Sequence, residues 1–165
     1  MTGLAMLSTV IWLPILAGVA VLFTGTDRNA NLARWLALAG AVAGFVVALP
    51  LYFKFDRALQ GMQFVELTPW IESYSINYHL GIDGISLLLI LMNAFTTVLV
   101  VLAGWKVIDS RVGQYMAAFL VLSGMMNGVF CAMDAALFYV FFEATLIPMF
   151  IVIGVWGGPN RVYAA

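Results

Sequence analysis

Charge is what this chain has least of. Asp, Glu, Lys and Arg make up only 9% of its 165 residues, where a soluble domain carries about a quarter. The seven basic and eight acidic residues sum to −1 and form no block of either sign, which excludes a surface that tracks a nucleic-acid backbone. One cysteine, Cys131, leaves no partner for a disulfide and no Cys-based metal site. One histidine, His79, has no second ligand, so it does not argue for metal either. Met1 to Gly3 carries no basic residue and the apolar run from Leu4 to Phe23 is long for a signal core, so the expectation for this run is a retained membrane span.

What fills the chain is apolar sequence, 64% of residues, with a mean hydropathy of +1.05. It falls into five runs, at 4–23, 32–53, 85–105, 115–133 and 135–156, of 19 to 22 residues each. A helix rises about 1.5 Å per residue, so about 20 residues cross a hydrocarbon core of about 30 Å. The expectation is an all-α membrane protein with five transmembrane helices and one outer loop at 54–84. Arg34 alone among the bases enters a run, two residues from its end, where its guanidinium can snorkel to the interface. Loops after the odd-numbered runs, Arg34 included, hold Arg28, Arg34, Lys106, Arg111 and Arg161, and the other side holds Lys54 and Arg57. Five against two places the N-terminus outside.

The 54–84 loop is the extramembrane element. Near alternation from Trp70 to Leu80 predicts a strand, and Met62 to Leu67 before Thr68-Pro69 predicts a hairpin partner. Asp56, Glu66, Glu72 and Asp83 make the loop acidic, which reads as a solvated cap, with His79 on its polar side. Asp83 precedes Gly84-Ile85-Ser86, the position of a helix N-cap. In the spans, Gly40 with Gly44 and Gly124 with Gly128 supply small faces for close packing. Ser86, Asn93 and Thr97 form one polar stripe, Ser123, Asn127 and Cys131 another; both read as interhelical hydrogen bonding, with a hydrated path as the competing role. Met125, Met126 and the aromatics from Phe138 to Phe142 read as packing and lipid contact.

One acid breaks the pattern. Glu143 has eight uncharged residues before it and thirteen after it within Ala135 to Trp156, close to the expected bilayer midplane. An ionisable group there costs roughly 2.5–3.5 kcal/mol on insertion scales and points to an ion or proton path. Pro148, five residues on, cannot donate to the carbonyl of Ala144, so a bend and a free acceptor are expected beside the acid. Tyr139, one turn earlier, is placed to hydrogen-bond Glu143 or a water. Low-dielectric surroundings favour the neutral acid and an approaching cation favours the carboxylate, so a moving positive charge would switch proton affinity. No Lys or Arg lies in any of the five cores to do so. The competing reading is a permanently protonated Glu that hydrogen-bonds across helices.

Three stretches carry a resemblance: Tyr78-His-Leu-Gly-Ile-Asp-Gly-Ile-Ser-Leu-Leu-Leu89, Leu137-Phe-Tyr-Val-Phe-Phe-Glu-Ala-Thr-Leu-Ile-Pro-Met-Phe-Ile-Val-Ile-Gly-Val-Trp-Gly-Gly158 and Asn160-Arg-Val-Tyr-Ala-Ala165. They are similar to the M-type antiporter-like subunits of bacterial NADH:quinone oxidoreductase, respiratory complex I, the fourth ND subunit in mitochondria. Glu-Ala-Thr-Leu-Ile-Pro-Met with the trailing Trp-Gly-Gly separates this type from the L and N types. The resemblance implies the N-terminal part of a fourteen-helix subunit that translocates protons as quinone is reduced. It implies that Glu143 matches a fifth-helix glutamate paired with a lysine on a seventh helix, beyond this chain, which suggests truncation. It also implies no flavin, iron–sulfur cluster or quinone on this chain, with NADH, FMN, clusters and ubiquinone elsewhere in the complex. Implied partners are other membrane-arm subunits, including the L and N types, and the bilayer; the implied site is a bacterial inner membrane. Two other readings stand beside this one: the D-type subunit of a multisubunit Na⁺/H⁺ antiporter, and a structural membrane subunit without transport.

Overall fold

The computed structural model describes residues 5–24, 29–59 and 61–161. Among them are five helices long and apolar enough to cross a membrane: α1 (Met6–Phe23), α2 (Ala30–Lys54), α3 (Gly84–Val107), α4 (Val112–Cys131) and α5 (Ala135–Trp156). Between α2 and α3 a two-stranded antiparallel hairpin forms from β1 (Gln63–Ile71) and β2 (Ile76–Ile82). The expected all-α membrane architecture with one hairpin is therefore the observed one. Helices satisfy every backbone polar group internally, which is why apolar runs of this length adopt them in lipid.

Packing centres on α4, which touches each of the other four helices, while α5 rests mainly on α4 and β2. Two small residues on α4 make this arrangement fit. A Cβ on Gly124 would lie 2.5 Å from the Ile11 carbonyl oxygen of α1, and one on Gly128 would lie 2.5 Å from the Phe141 ring of α5. The two glycines, four residues apart on one face of α4, thus serve different neighbours. Apolar side chains collect in two clusters. One, with Leu7, Ile11, Leu51, Leu80 and Ile90, sits under the hairpin; the other, with Val21, Ala37, Val101, Met116 and Leu120, lies towards the opposite end.

The hairpin differs from expectation in where it turns. Thr68-Pro69 is not the turn: Pro69 sits inside β1 opposite Asn77, and the chain reverses through a 3-10 turn at Glu72–Tyr74 followed by Ser75 at φ 54°. A two-stranded ribbon has only edge strands, where a residue without an N–H is tolerated. The Trp70 to Leu80 alternation therefore spans both strands. The end of the fourth apolar run also differs. Ala132 leaves the helix and bridges Leu80, and the Met133 amide donates to the His79 carbonyl.

Three acids and two arginines serve helix ends. On the hairpin side the Glu66 carboxylate accepts from the Leu7 amide at 2.8 Å and the Ser8 amide at 3.2 Å, capping α1 from β1. Asp83 accepts from the Ser86 amide at 2.7 Å, the capping role expected for it, and Asp134 caps α5. At the opposite end Arg34 donates to the Ile108 carbonyl just past α3 at 3.0 Å, and Arg161 donates to the Val155 carbonyl of α5 at 2.9 Å. Anions at N-termini and cations at C-termini complement the helix macrodipoles. Arg34, expected to reach for the interface, bonds the carbonyl just past α3 and so ties α2 to that helix end.

Candidate functional site: the carboxylate on α5

The site is built on α5, and Asp134 starts it. Its Oδ1 accepts from the Ala136 and Leu137 amides at 2.9 and 3.3 Å, while its Oδ2 accepts from the Asn77 amide of β2 at 3.1 Å. The Asn77 amide, ahead of those of Leu137 and Ala136, holds this carboxyl below the usual carboxylate range. Asp83 is lowered likewise, chiefly by the Ser86 amide. One carboxylate thus fixes where α5 begins and where the hairpin lies against it.

Two faces of α5 then separate. Leu137, Phe141 and Pro148 are buried, with Phe141 seated on Gly128. Tyr139, Glu143, Leu146 and Phe150, at helical offsets of four, three and four, are exposed. Glu143 therefore stands on the face that α1–α4 leave uncovered. Tyr139, 61% exposed, lies one turn before it with its hydroxyl within reach of the carboxylate. The described bases of α1–α4 lie within five residues of a helix end, at Arg34, Lys54 and Lys106, so none accompanies Glu143 at its depth. Among the described residues of α1–α5, Glu143 thus has a hydroxyl one turn away and no basic side chain at its depth.

Pro148 lies within α5, which continues through it to Trp156. It has no N–H to offer Ala144. The ring borders a cleft of about 390 Å³ with Leu22, Gln114 and Val121. Ala144, the residue whose carbonyl it frees, borders a second cleft of about 460 Å³ that reaches Trp12, Trp70 and Tyr78 under the hairpin. Thr145 donates to the Phe142 carbonyl at 2.6 Å. The backbone around Glu143 thus offers an acceptor at residue 144 with space beside it.

The polar stripes of α3 and α4 meet each other. Asn93 Nδ2 donates to Asn127 Oδ1 at 2.8 Å and to the Ser123 carbonyl at 2.9 Å, and the Thr97 and Ser123 hydroxyls are 2.7 Å apart. Asn127 also donates to the Val10 carbonyl of α1 at 3.1 Å, so three helices share one seam. Ser86 and Cys131 stay outside it; Ser86 serves the α3 cap and Cys131 is buried as a free thiol. A second network escaped the sequence reading: Tyr78 of β2 approaches the Ser8 hydroxyl at 3.1 Å and accepts from the Trp12 indole at 3.3 Å. Asp134 was also missed, although an Asp directly before an apolar run is an N-cap signal. Glu66 had no local signal, because its partners lie 58 and 59 residues away. Among the described residues no cluster of three or more His, Cys, Asp or Glu is arranged to hold a metal ion.

Fold and site together define a multi-pass helical membrane protein whose α5 carries an ionisable group between two interfaces. Residues 46–133 match the family model for the amino terminus of NADH-ubiquinone oxidoreductase chain 4. The chain belongs to that family. It is 48% identical over 166 aligned residues to NADH-quinone oxidoreductase subunit M of Rhodobacter capsulatus, covering 97% of this chain and 31% of that protein. It is 41% identical to NADH-ubiquinone oxidoreductase chain 4 of Arabidopsis thaliana, covering 94% of this chain and 31% of the relative. Its fold matches a chain of respiratory complex I from Thermus thermophilus with a TM-score of 0.80 at 28% identity, over 96% of this chain and 31% of that one. The chain spans about a third of the length of these relatives.

Proposed function

We propose that this chain forms the amino-terminal bundle of a proton-translocating membrane-arm subunit of NADH:quinone oxidoreductase, in which Glu143 takes up and releases a proton as the charge beside it changes. The observation that carries the reading is the position of Glu143: an acid within a spanning helix, on the one face of α5 that the rest of the described bundle leaves open. A carboxylate facing bare lipid is strongly disfavoured, so this face calls for a protein neighbour bearing positive charge or for water. With a cation close by, Glu143 is held as carboxylate; as the cation withdraws, the neutral acid is favoured and a proton is bound. Tyr139 can pass or stabilise that proton through its hydroxyl, and the Ala144 carbonyl that Pro148 leaves free can hold a water on the route. These are the roles of Glu143, Tyr139 and Pro148: proton transfer, support and opening of the backbone.

In this reading NADH, FMN, iron–sulfur clusters and quinone belong to other subunits, and this chain contributes transport to the enzyme. Its neighbours are other membrane-arm subunits, L and N types among them. It lies in a bacterial inner membrane with the N-terminus and hairpin on the periplasmic side, since the described bases Arg34, Lys106, Arg111 and Arg161 gather at the other end.

The test replaces Glu143 with Gln in the intact complex. Proton uptake by inverted membrane vesicles per NADH oxidised should be abolished or strongly cut, since a positioned proton-transfer group contributes roughly 10²–10⁴-fold to its step. NADH oxidation with an artificial acceptor, and the amount of assembled complex on native gels, should stay near wild type. Unchanged proton uptake would favour the structural reading and reject this one.

A further inference from the structure

A groove of about 490 Å³ opens between α2 and α3 at the bundle end opposite the hairpin, lined by Trp35, Leu38, Leu102, Ala103, Trp105 and Lys106. Its chemistry is layered. Leu38, Leu102 and Ala103 lie about one turn deeper in the membrane than Trp35, Trp105 and Lys106, because α2 begins and α3 ends at this surface. The two indoles meet edge to face, with centroids 5.2 Å apart and planes at 84°, forming a rim across both helices. Arg34, next to Trp35, locks the rim by donating to the Ile108 carbonyl at 3.0 Å and to the Asn31 side chain at 3.1 Å.

Every polar side-chain group lining this groove is a donor: the Lys106 ammonium and two indole N–H groups. Trp12 and Trp156 each place their indole N–H on a protein oxygen, whereas Trp35 and Trp105 have no hydrogen-bond acceptor among the described residues. The ligand that complements such a lining bears several anionic acceptor oxygens at the level of the rim and an alkyl chain below it. We propose that this groove binds an anionic phospholipid, its phosphate at Lys106 and the Trp35–Trp105 rim and an acyl chain along Leu38, Leu102 and Ala103. Basic pockets between spanning helices are suited to such headgroups, and tryptophan favours the interface. A zwitterionic lipid offers the same phosphate, but its own cation then faces Lys106. The preference for net negative charge follows from that difference.

The experiment uses the intact complex in vesicles containing equal small fractions of diazirine-bearing phosphatidylglycerol or diazirine-bearing phosphatidylcholine in a phosphatidylcholine background, with cross-links mapped to residues 30–54 and 84–107. Phosphatidylglycerol should label around Leu38, Leu102 and Ala103 about fivefold more than phosphatidylcholine, the preference expected of a basic residue near an anionic lipid. Lys106→Gln should bring the two lipids close to parity. Lys106 is exposed, so this variant should keep the fold, and its assembly on native gels confirms that the loss is local. Trp105→Phe, which keeps a ring but removes one N–H, should lower labelling by the anionic lipid more than by the zwitterionic one. Equal labelling in the unmodified complex, or a preference that survives Lys106→Gln, would overturn the proposal. Abolition of the preference by excess inorganic phosphate would overturn it too, by identifying a site for free anions.

Discussion

Asp134 does two jobs with one carboxylate, and the geometry separates them. Oδ1 serves the first amides of α5 and Oδ2 serves Asn77 of the hairpin. Asparagine can keep the capping function but supplies only one acceptor oxygen. Asp134→Asn should therefore preserve hydrogen-exchange protection at Ala136 while lowering it at Asn77, and Asp134→Ala should lower both. The carboxyl is held below its usual range in the folded chain. Its contribution is therefore complete above the unfolded-state value of about 4 and is lost as pH falls through the lower folded-state value. Amide protection at Asn77 measured against pH should decline only on the acid side; a decline starting near neutral pH would contradict the assignment. Glu143 is the residue-scale feature most legible from sequence, because an acid amid lipid-length apolar sequence is rare whatever surrounds it. Its exposure was not legible: which face of α5 turns outward depends on where Phe141 meets Gly128.

At the scale of elements, α4 is the keel, and its two close-approach glycines are not equivalent to other small residues. A methyl group at Gly124 would strike the Ile11 backbone oxygen, which cannot rotate away, whereas one at Gly44 would meet nothing closer than 4.0 Å. Gly124→Ala should lower stability by about 1–3 kcal/mol through forced separation of α1 and α4. Gly44→Ala should be near neutral. Thermal unfolding of the two variants in detergent, compared with the unmodified protein, measures the contrast; equal losses would mean that α4 does not hold α1 by direct backbone approach. The five helices were readable because their length and apolarity are properties of contiguous residues. The hairpin turn was not, since Pro69 suggested a reversal that the edge position of β1 makes unnecessary, and the reversal itself rests on the αL conformation of Ser75.

At the scale of the whole molecule, the described capping acids lie at one end and Arg34 and Arg161 hold helix ends at the other. The bias towards basic loops was visible as a count, but its attachment to helix termini was not, because each long-range contact joins residues far apart in sequence. Glu66 bonding to Leu7 is one such pair and Arg34 bonding to Ile108 another. With its end charges placed this way, the bundle leaves Glu143 as the carboxylate lying within a span rather than at a helix end. That distinction is the basis for assigning it the proton-transfer role. Infrared difference spectroscopy of the intact complex during NADH oxidation, with Glu143→Gln as the subtraction, reads the protonation of this group directly. The account predicts a carboxyl band that appears or disappears with turnover and is absent from the variant; an identical difference spectrum in the two proteins, with no band assignable to Glu143, would contradict it.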